Sequence, residues 1–379
     1  MANTLTGLIP TMYEAADIVS RELTGFIPAV MLDATADAAA VGQSINYPVI
    51  GASSAADITA AATGPDPSDE TYGYGSMSIG KSRSVTFYQT GEDQKGLGRL
   101  NTQILRDHFA QAMRTLTNEV EADLAALYVS ASRAYGTAGT TPFASDLSDP
   151  ANVLKILLDN GTPGSDLQLI INTTAGAKLR TLGQLTKANE AGSVELRERG
   201  VLLDLHGFKV RESAQVKNHT KGTGSGFLVN NASGYAANST SITVDTGTGT
   251  ILAGDVLTNS QSGRDTNKYI VKTALASNVV VVADPGIRAA WVDNDTLAVG
   301  ANYAANMAFR RQAIHLLARV PAMPSGGDAA DDVTIVTDPV SGLSFQVAMY
   351  RQYRRVAFEV GLAWGVKAVK PEHMAILLG

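Results

Sequence analysis

The sequence predicts an α+β fold in which one long helix spans the molecule between β-rich regions, and three observations predict it. Residues 99–134 keep helical apolar spacing without a break, residues 44–50, 77–88 and 343–363 alternate like strands, and short strand-like runs recur about every ten residues between 222 and 302. In the helical stretch Leu100, Ile104, Phe109, Met113, Leu116, Val120, Leu124, Leu127 and Ala131 line one face. Arg106, Asp107, Arg114, Glu119, Glu121 and Asp123 fall mostly on the other face and read as solvated charges. No Pro or Gly interrupts the pattern, so the helix would run on the order of 50 Å at ~1.5 Å per residue. It reads as a girder.

The other elements follow in order. Residues 1–43 form an arm, with helical spacing over 13–23, Thr11 as a cap and Pro28 as the stop. Residues 44–90 read as a projecting hairpin whose strands are 44–50 and 77–88. Its tip, 51–75, is mostly Ala, Ser, Gly, Asp, Thr and Pro and cannot bury a core, so it is either flexible or ordered by a neighbouring molecule. The glycines of 91–98 make a hinge into the helix, which with them fills 91–135. Residues 136–221 then alternate: a loop to 148, a helix over 149–158, a buried strand at 167–172, a helix over 173–183 and a hairpin or paired strands over 200–213.

Composition changes near 216 and changes back near 303, and 222–302 reads as an inserted domain. The strands 241–244, 250–257, 268–274, 278–283 and 296–299 describe a small inserted barrel or sandwich. Residues 303–342 resume the interrupted domain, with a helix-like and then mixed α/β pattern over 304–320. Residues 343–379 carry long strands, with Phe345, Val347 and Met349 on one, Val356, Phe358, Val360 and Leu362 on the next, and Pro371 ending the last.

With 379 residues, 45% hydrophobic and 17% charged, the chain can bury a sizeable core, while 6% aromatic residues point away from deep ligand pockets. There is no Cys, which removes disulfides, thiolate metal sites and cysteine nucleophiles together. Net charge is −6, and outside 351–355 no run of Lys or Arg exceeds two residues, so tight binding to a phosphate backbone is disfavoured. No apolar run is long enough to span a membrane. A cytoplasmic site of synthesis is the expectation.

The sharpest motif is Gly75-Ser76-Met77-Ser78-Ile79-Gly80-Lys81-Ser82, a full match to the phosphate-binding pattern GxxxxGK[ST]. A partner is at hand in Val279-Val280-Val281-Val282-Ala283-Asp284, an apolar run ending in an aspartate. The chemistry needs a buried strand before the loop and a helix after it, so that N–H groups at the helix start cradle the phosphates. Here 82–87 alternates like a strand, which puts Lys81 and Arg83 on one exposed face. The valines read as a buried barrel strand turning at Asp284-Pro285-Gly286. His108, His206, His219, His315 and His373 show no metal-ligand spacing, Glu195 and Glu198 read as solvated helix charges, and no catalytic triad is legible. No catalytic residue, cofactor site or metal site is assigned.

The order of parts resembles the major capsid (coat) proteins of tailed bacteriophages, particularly the short-tailed subgroup with an inserted β-barrel. The local matches are 118–128, Asn-Glu-Val-Glu-Ala-Asp-Leu-Ala-Ala-Leu-Tyr, and 361–372, Gly-Leu-Ala-Trp-Gly-Val-Lys-Ala-Val-Lys-Pro-Glu. The resemblance implies the tailed-bacteriophage/herpesvirus major-capsid-protein fold, with N-arm, extended hairpin loop, spine helix, peripheral and axial domains. It implies a non-enzymatic structural protein of the virion, assembled in the host cytoplasm into hexamers and pentamers of an icosahedral shell around double-stranded DNA. Scaffolding and portal proteins are its implied partners. Contacts between copies then fall to Lys81, Arg83, Phe87, Arg264, Asp265, Lys268, Arg351, Arg354 and Arg355. The barrel's first segment, 232–244, is short and nearly uncharged, which departs from members whose inserted domain reaches the next capsomer through a long charged loop. An encapsulin-like compartment, a phage tail-tube component and a nucleotide hydrolase using Lys81 and Asp284 are the competing readings.

Overall fold

A computed structural model describes residues 22–49, 57–58, 60, 73–186, 204–324, 330–339 and 341–379. The expected helix at 13–23, the hairpin tip and the pair Glu195/Glu198 lie wholly or almost wholly outside the described residues. The first strands are β1 (Met31–Ala39), β2 (Ser44–Val49), β3 (Gly73–Ser78) and β4 (Lys81–Thr90). Helices α1 (Gly91–Leu97) and α2 (Asn101–Ala125) follow, then β5 (Arg133–Tyr135), α3 (Ser148–Asp159), β6 (Leu167–Ile171), α4 (Thr173–Arg180), β7 (Phe208–Glu212) and β8 (Asn218–His219). The next strands are β9 (Phe227–Val229), β10 (Ser241–Asp245), β11 (Val256–Asn259), β12 (Lys268–Ala276), β13 (Val279–Val282) and β14 (Thr296–Val299). The chain returns through β15 (Tyr303–Arg310), β16 (Ile314–Pro321), β17 (Asp332–Thr337), β18 (Ser344–Gln352), β19 (Arg355–Ala368) and β20 (Met374–Leu378). The helix-like pattern expected over 304–320 is thus two strands, whose burial on both faces replaces alternation by a near-continuous apolar run.

The spine is shorter than its apolar spacing predicts. Regular α-helix ends at Ala125, about 38 Å from its start, and a 3-10 segment carries the chain through Ala126–Ser130. Tertiary pairing overrides the periodicity. Ser132 bonds the Met374 carbonyl through both its backbone N–H (3.0 Å) and its hydroxyl (2.7 Å), and β5 then runs parallel to β20. Leu105, Phe109, Met113, Leu116, Val120 and Leu124 form the buried stripe of α2, packed against Phe358, Val360 and Trp364 of β19.

That packing joins α2 to a six-stranded sheet ordered β1-β16-β19-β18-β17, in which β4 also pairs with β19. The expected strand 77–88 is therefore two strands with a corner at Ile79-Gly80: among the described residues β3 pairs with β2 alone, while β4 joins the main sheet. The expected hinge at 91–98 is also mostly helix. Thr90 and Asp93 cap α1 reciprocally, and only Gly98, at φ 50°, breaks the path into α2.

The second sheet runs β12-β5-β20-β15-β6-β7, covered by α3 and α4 through Val153, Leu157, Ala175 and Leu179. Its last strand corrects another expectation. Pro371 does not end the final strand; it opens a short corner before β20, all five of whose residues are buried. Strands β11-β14-β9-β10-β13-β12 close on themselves through the β11–β12 pairing. This is a six-stranded barrel filled by Val229, Ile242, Leu257, Tyr269, Val271, Val280, Val282 and Trp291. The strand absent from the sequence reading is β9, only three residues long and bounded by Gly226 and Asn230.

Candidate functional site

The phosphate-binding motif dissolves into strand geometry. Its residues lie on β3, the corner and β4, with no helix after Lys81. The Lys81 ammonium bonds Asp123 on the spine at 2.7 Å and stands 6.0 Å from the Trp364 ring centroid, while Arg83 faces Glu119 at 3.4 Å. Asp284 pairs with Lys272 at 2.8 Å on the barrel. Lys81 and, just after the motif, Arg83 thus tie β4 to the spine. Lys81→Ala is expected to cost no more than about 1 kcal/mol in chemical denaturation, because the pair is partly exposed.

Glu121 overturns its expected place among the solvated charges. It is fully buried, and its carboxylate accepts the backbone N–H groups of Gly25, Phe26 (2.7 Å) and Ile27 (3.0 Å) and the Ser213 hydroxyl (2.8 Å). Burial, the largest influence, raises its pKa, against the pull of those four donors. One and two turns earlier on α2, Asn118 and Arg114 hold Glu22, whose pKa is lowered to about 2, first by the Arg114 hydrogen bonds. Spine residues therefore clasp the segment 22–27. Because the Glu22 pKa falls on folding, its contribution is present above the ordinary value of 4.5 and disappears as pH falls towards 2. A Glu22→Gln variant is expected to lose stability at pH 7 and to converge with the parent near pH 2, by denaturant titration.

A second buried network sits where the barrel meets the body. Tyr128, at the end of the spine, bonds His219 Nδ1 at 2.8 Å, and His219 Nε2 bonds Asp255 at 2.8 Å. Asp255 also accepts the N–H groups of Gly222 (3.0 Å) and Leu252 (2.7 Å), and Tyr303 packs 5.2 Å from the imidazole. Spacing in the sequence gives no sign of it. The network joins the spine, β8 and the barrel, so it fixes the barrel's root.

The remaining contact candidates separate into two groups. On the barrel, Arg264 reaches Asp295 at 3.4 Å, Asp265 is buried against the Tyr269 hydroxyl and Asn267, and Lys268 donates to the Gly136 carbonyl. Phe87 stacks between His108 (5.1 Å) and Phe358 (5.5 Å). In contrast, Arg351, Arg354 and Arg355 surround the β18–β19 turn and, with Lys95, line an open cleft of about 900 Å³ beside α1. Arg355 lies over Tyr88 at 4.9 Å, and Tyr353 is 91% exposed. No carboxylate among the described residues forms an ion pair with these four cations, and Glu92 is the one acid lining the cleft. The Gln89 side chain lines it too, 5% exposed and with neither amide atom partnered.

Three solved phage structures match this architecture over most of its length. A chain from the capsid structure of the cyanophage P-SCSP1u matches at TM-score 0.50 and 13% identity, covering 95% of this chain and 89% of that one. The chain has the fold of tailed-phage capsid proteins. Chains from Mycobacterium phage Che8 (TM-score 0.49, 14% identity, covering 89% and 84%) and from the mature capsid of bacteriophage PhiM1 (0.49, 10%, covering 96% and 89%) were also found. No known family profile matches the sequence, and no curated protein does. In this chain the sheet of β16, β18 and β19 packs on α2, and the barrel is set into the second sheet. Among the described residues no group of three or more His, Asp or Glu is placed to hold a metal, and no helix is long and apolar enough to cross a membrane.

Proposed function

We propose that this chain is the repeating subunit of an icosahedral shell that encloses double-stranded DNA, performing no catalysis itself. The observation that carries the reading is the strand pair β2–β3. Among its described side chains only Met77 is buried, while Ile45 is 40% and Tyr74 74% exposed. A two-stranded ribbon of this kind is marginal in water and gains a core only against another surface.

Charge indicates which surface. Residues 44–80 contain Asp57, Asp66, Asp69 and Glu70 and no Lys or Arg. The cleft of Lys95, Arg351, Arg354 and Arg355 supplies the opposite sign, four cations to the one lining acid Glu92 and no ion pair among the described residues. Docking the acidic hairpin of one copy on the cationic cleft of the next, repeated around a ring, closes hexamers and pentamers from one interface. Scaffolding and portal proteins, a virion location and assembly in a host cytoplasm belong to the same reading.

Negative-stain microscopy of the expressed chain tests it: rings or closed shells are expected, and a uniform monomer would contradict it. The double reversal Arg351→Glu with Arg354→Glu is expected to leave a folded monomer that no longer forms particles, by light scattering and circular dichroism. Unchanged particle yield in that variant would remove the cleft from the interface.

A further inference from the structure

The seam between barrel and body holds a second cationic cleft, distinct from the first. It has a volume of about 340 Å³ and lies between β5, the last turn of α3 and the barrel residues Thr266, Asn267 and Lys268. Arg133 forms its floor, 3% exposed. Its Nη1 donates to Asn267 (3.1 Å), its Nη2 donates to the Ile156 carbonyl (3.2 Å) and Asn160 (3.1 Å), and Asp159 stands 3.6 Å away. Its Nε is buried with no partner.

Two lysines complete the lining. Lys268 spends one N–H on the Gly136 carbonyl and keeps two, and Lys155 is exposed on α3 with no ion-pair partner among the described residues. Three cations thus converge on a recess whose one lining carboxylate is Asp159. Burial lowers the pKa of Arg133, and repulsion from nearby Arg288 lowers it further. Such a surplus of recessed positive charge is relieved by an anion with several oxygens, since a tetrahedral oxyanion meets more than one donor at once while a single carboxylate offers two oxygens.

We propose that this cleft binds a phosphate-type oxyanion, held by Lys155 and Lys268 over the Arg133 guanidinium. The bound group comes either free from solution or as a phosphodiester of nucleic acid. In either case it bridges the barrel loop to α3 and β5, so its binding stiffens the root of the barrel.

The test titrates inorganic phosphate into the full-length protein by calorimetry, at ionic strength held constant with chloride, and repeats it with an eight-nucleotide single-stranded DNA. Saturable phosphate binding is expected, with amides of 266–268 slowed in hydrogen exchange. Lys155→Glu, at an exposed position that leaves the fold intact, is expected to weaken binding at least about tenfold, and Lys209→Glu, outside the cleft, by less than about twofold. Displacement of phosphate by the oligonucleotide assigns a phosphodiester; binding without displacement assigns the free anion, and both uphold the site. Equal binding by Lys155→Glu and the parent, or a phosphate effect no larger than that of chloride, means an adventitious ion only and overturns the proposal. Because binding is read on the subunit, the result does not depend on whether the chain forms shells.

Discussion

Glu121→Ala is expected to lower the free energy of unfolding by about 3–5 kcal/mol, the range for removing one partner of a buried charged hydrogen-bonded group. The carboxylate is the acceptor for three consecutive backbone N–H groups and one hydroxyl, all in a region without solvent. Its removal leaves those donors unpaired, each at a cost of about 1–3 kcal/mol before relaxation. The loss is then spread, because Phe26, Ile27 and Val30 lose their anchor and are themselves part of the main core. Glu121→Gln keeps the volume and one acceptor oxygen, so about 1–3 kcal/mol is expected for it. The midpoint of a guanidinium titration, with unchanged slope, measures both. A loss below 1 kcal/mol for the alanine variant would show that the clasp on residues 25–27 is not held by this side chain.

Trp364→Ala is expected to cost about 3–5 kcal/mol and to reduce soluble yield accordingly. The indole is 1% exposed, lies in the core shared by the spine and the main sheet, and donates its N–H to Asp123 at 2.8 Å. It also sits at a close crossing of the backbone: the Trp364 carbonyl accepts the Gly80 N–H at 3.0 Å, and a Cβ on Gly365 would lie 2.1 Å from the Ser78 carbonyl oxygen. The corner that launches the projecting strand pair is therefore built on this residue. Trp364→Phe retains most of the packing and loses the N–H donor, so a cost of about 1–2 kcal/mol is expected. If both variants were equally damaging, the Asp123 hydrogen bond rather than the packed volume would dominate.

Much of the architecture was legible in the sequence because periodicity reports burial directly. The stripe Phe109, Met113, Leu116, Val120, Leu124 and the alternation Phe345, Val347, Met349 both point into the core as their spacing says. The phosphate-binding motif was legible as a strand for the same reason. What was hidden depends on long-range pairing. The helix stops short of Ala134 because Ser132 and β5 find β20, some 240 residues later in the chain. Glu121 looks like its neighbours Glu119 and Asp123 until the segment 25–27 packs over it. The Tyr128–His219–Asp255 network joins residues 91 and 36 positions apart, and no local pattern encodes that. The cationic cleft was half legible: 351–355 stood out as the densest run of positive charge, but Lys95 and Gln89 join it only through the β4–β19 pairing.

The strand pair β2–β3 needs a sister molecule to complete its burial. Hydrogen exchange over residues 44–49 and 73–78 tests this most directly, comparing assembled particles with the folded, charge-reversed monomer. Fast exchange in the monomer and strong protection in particles is the predicted result; equal protection in both states would mean that the hairpin is stabilised by its own chain, and would contradict the account.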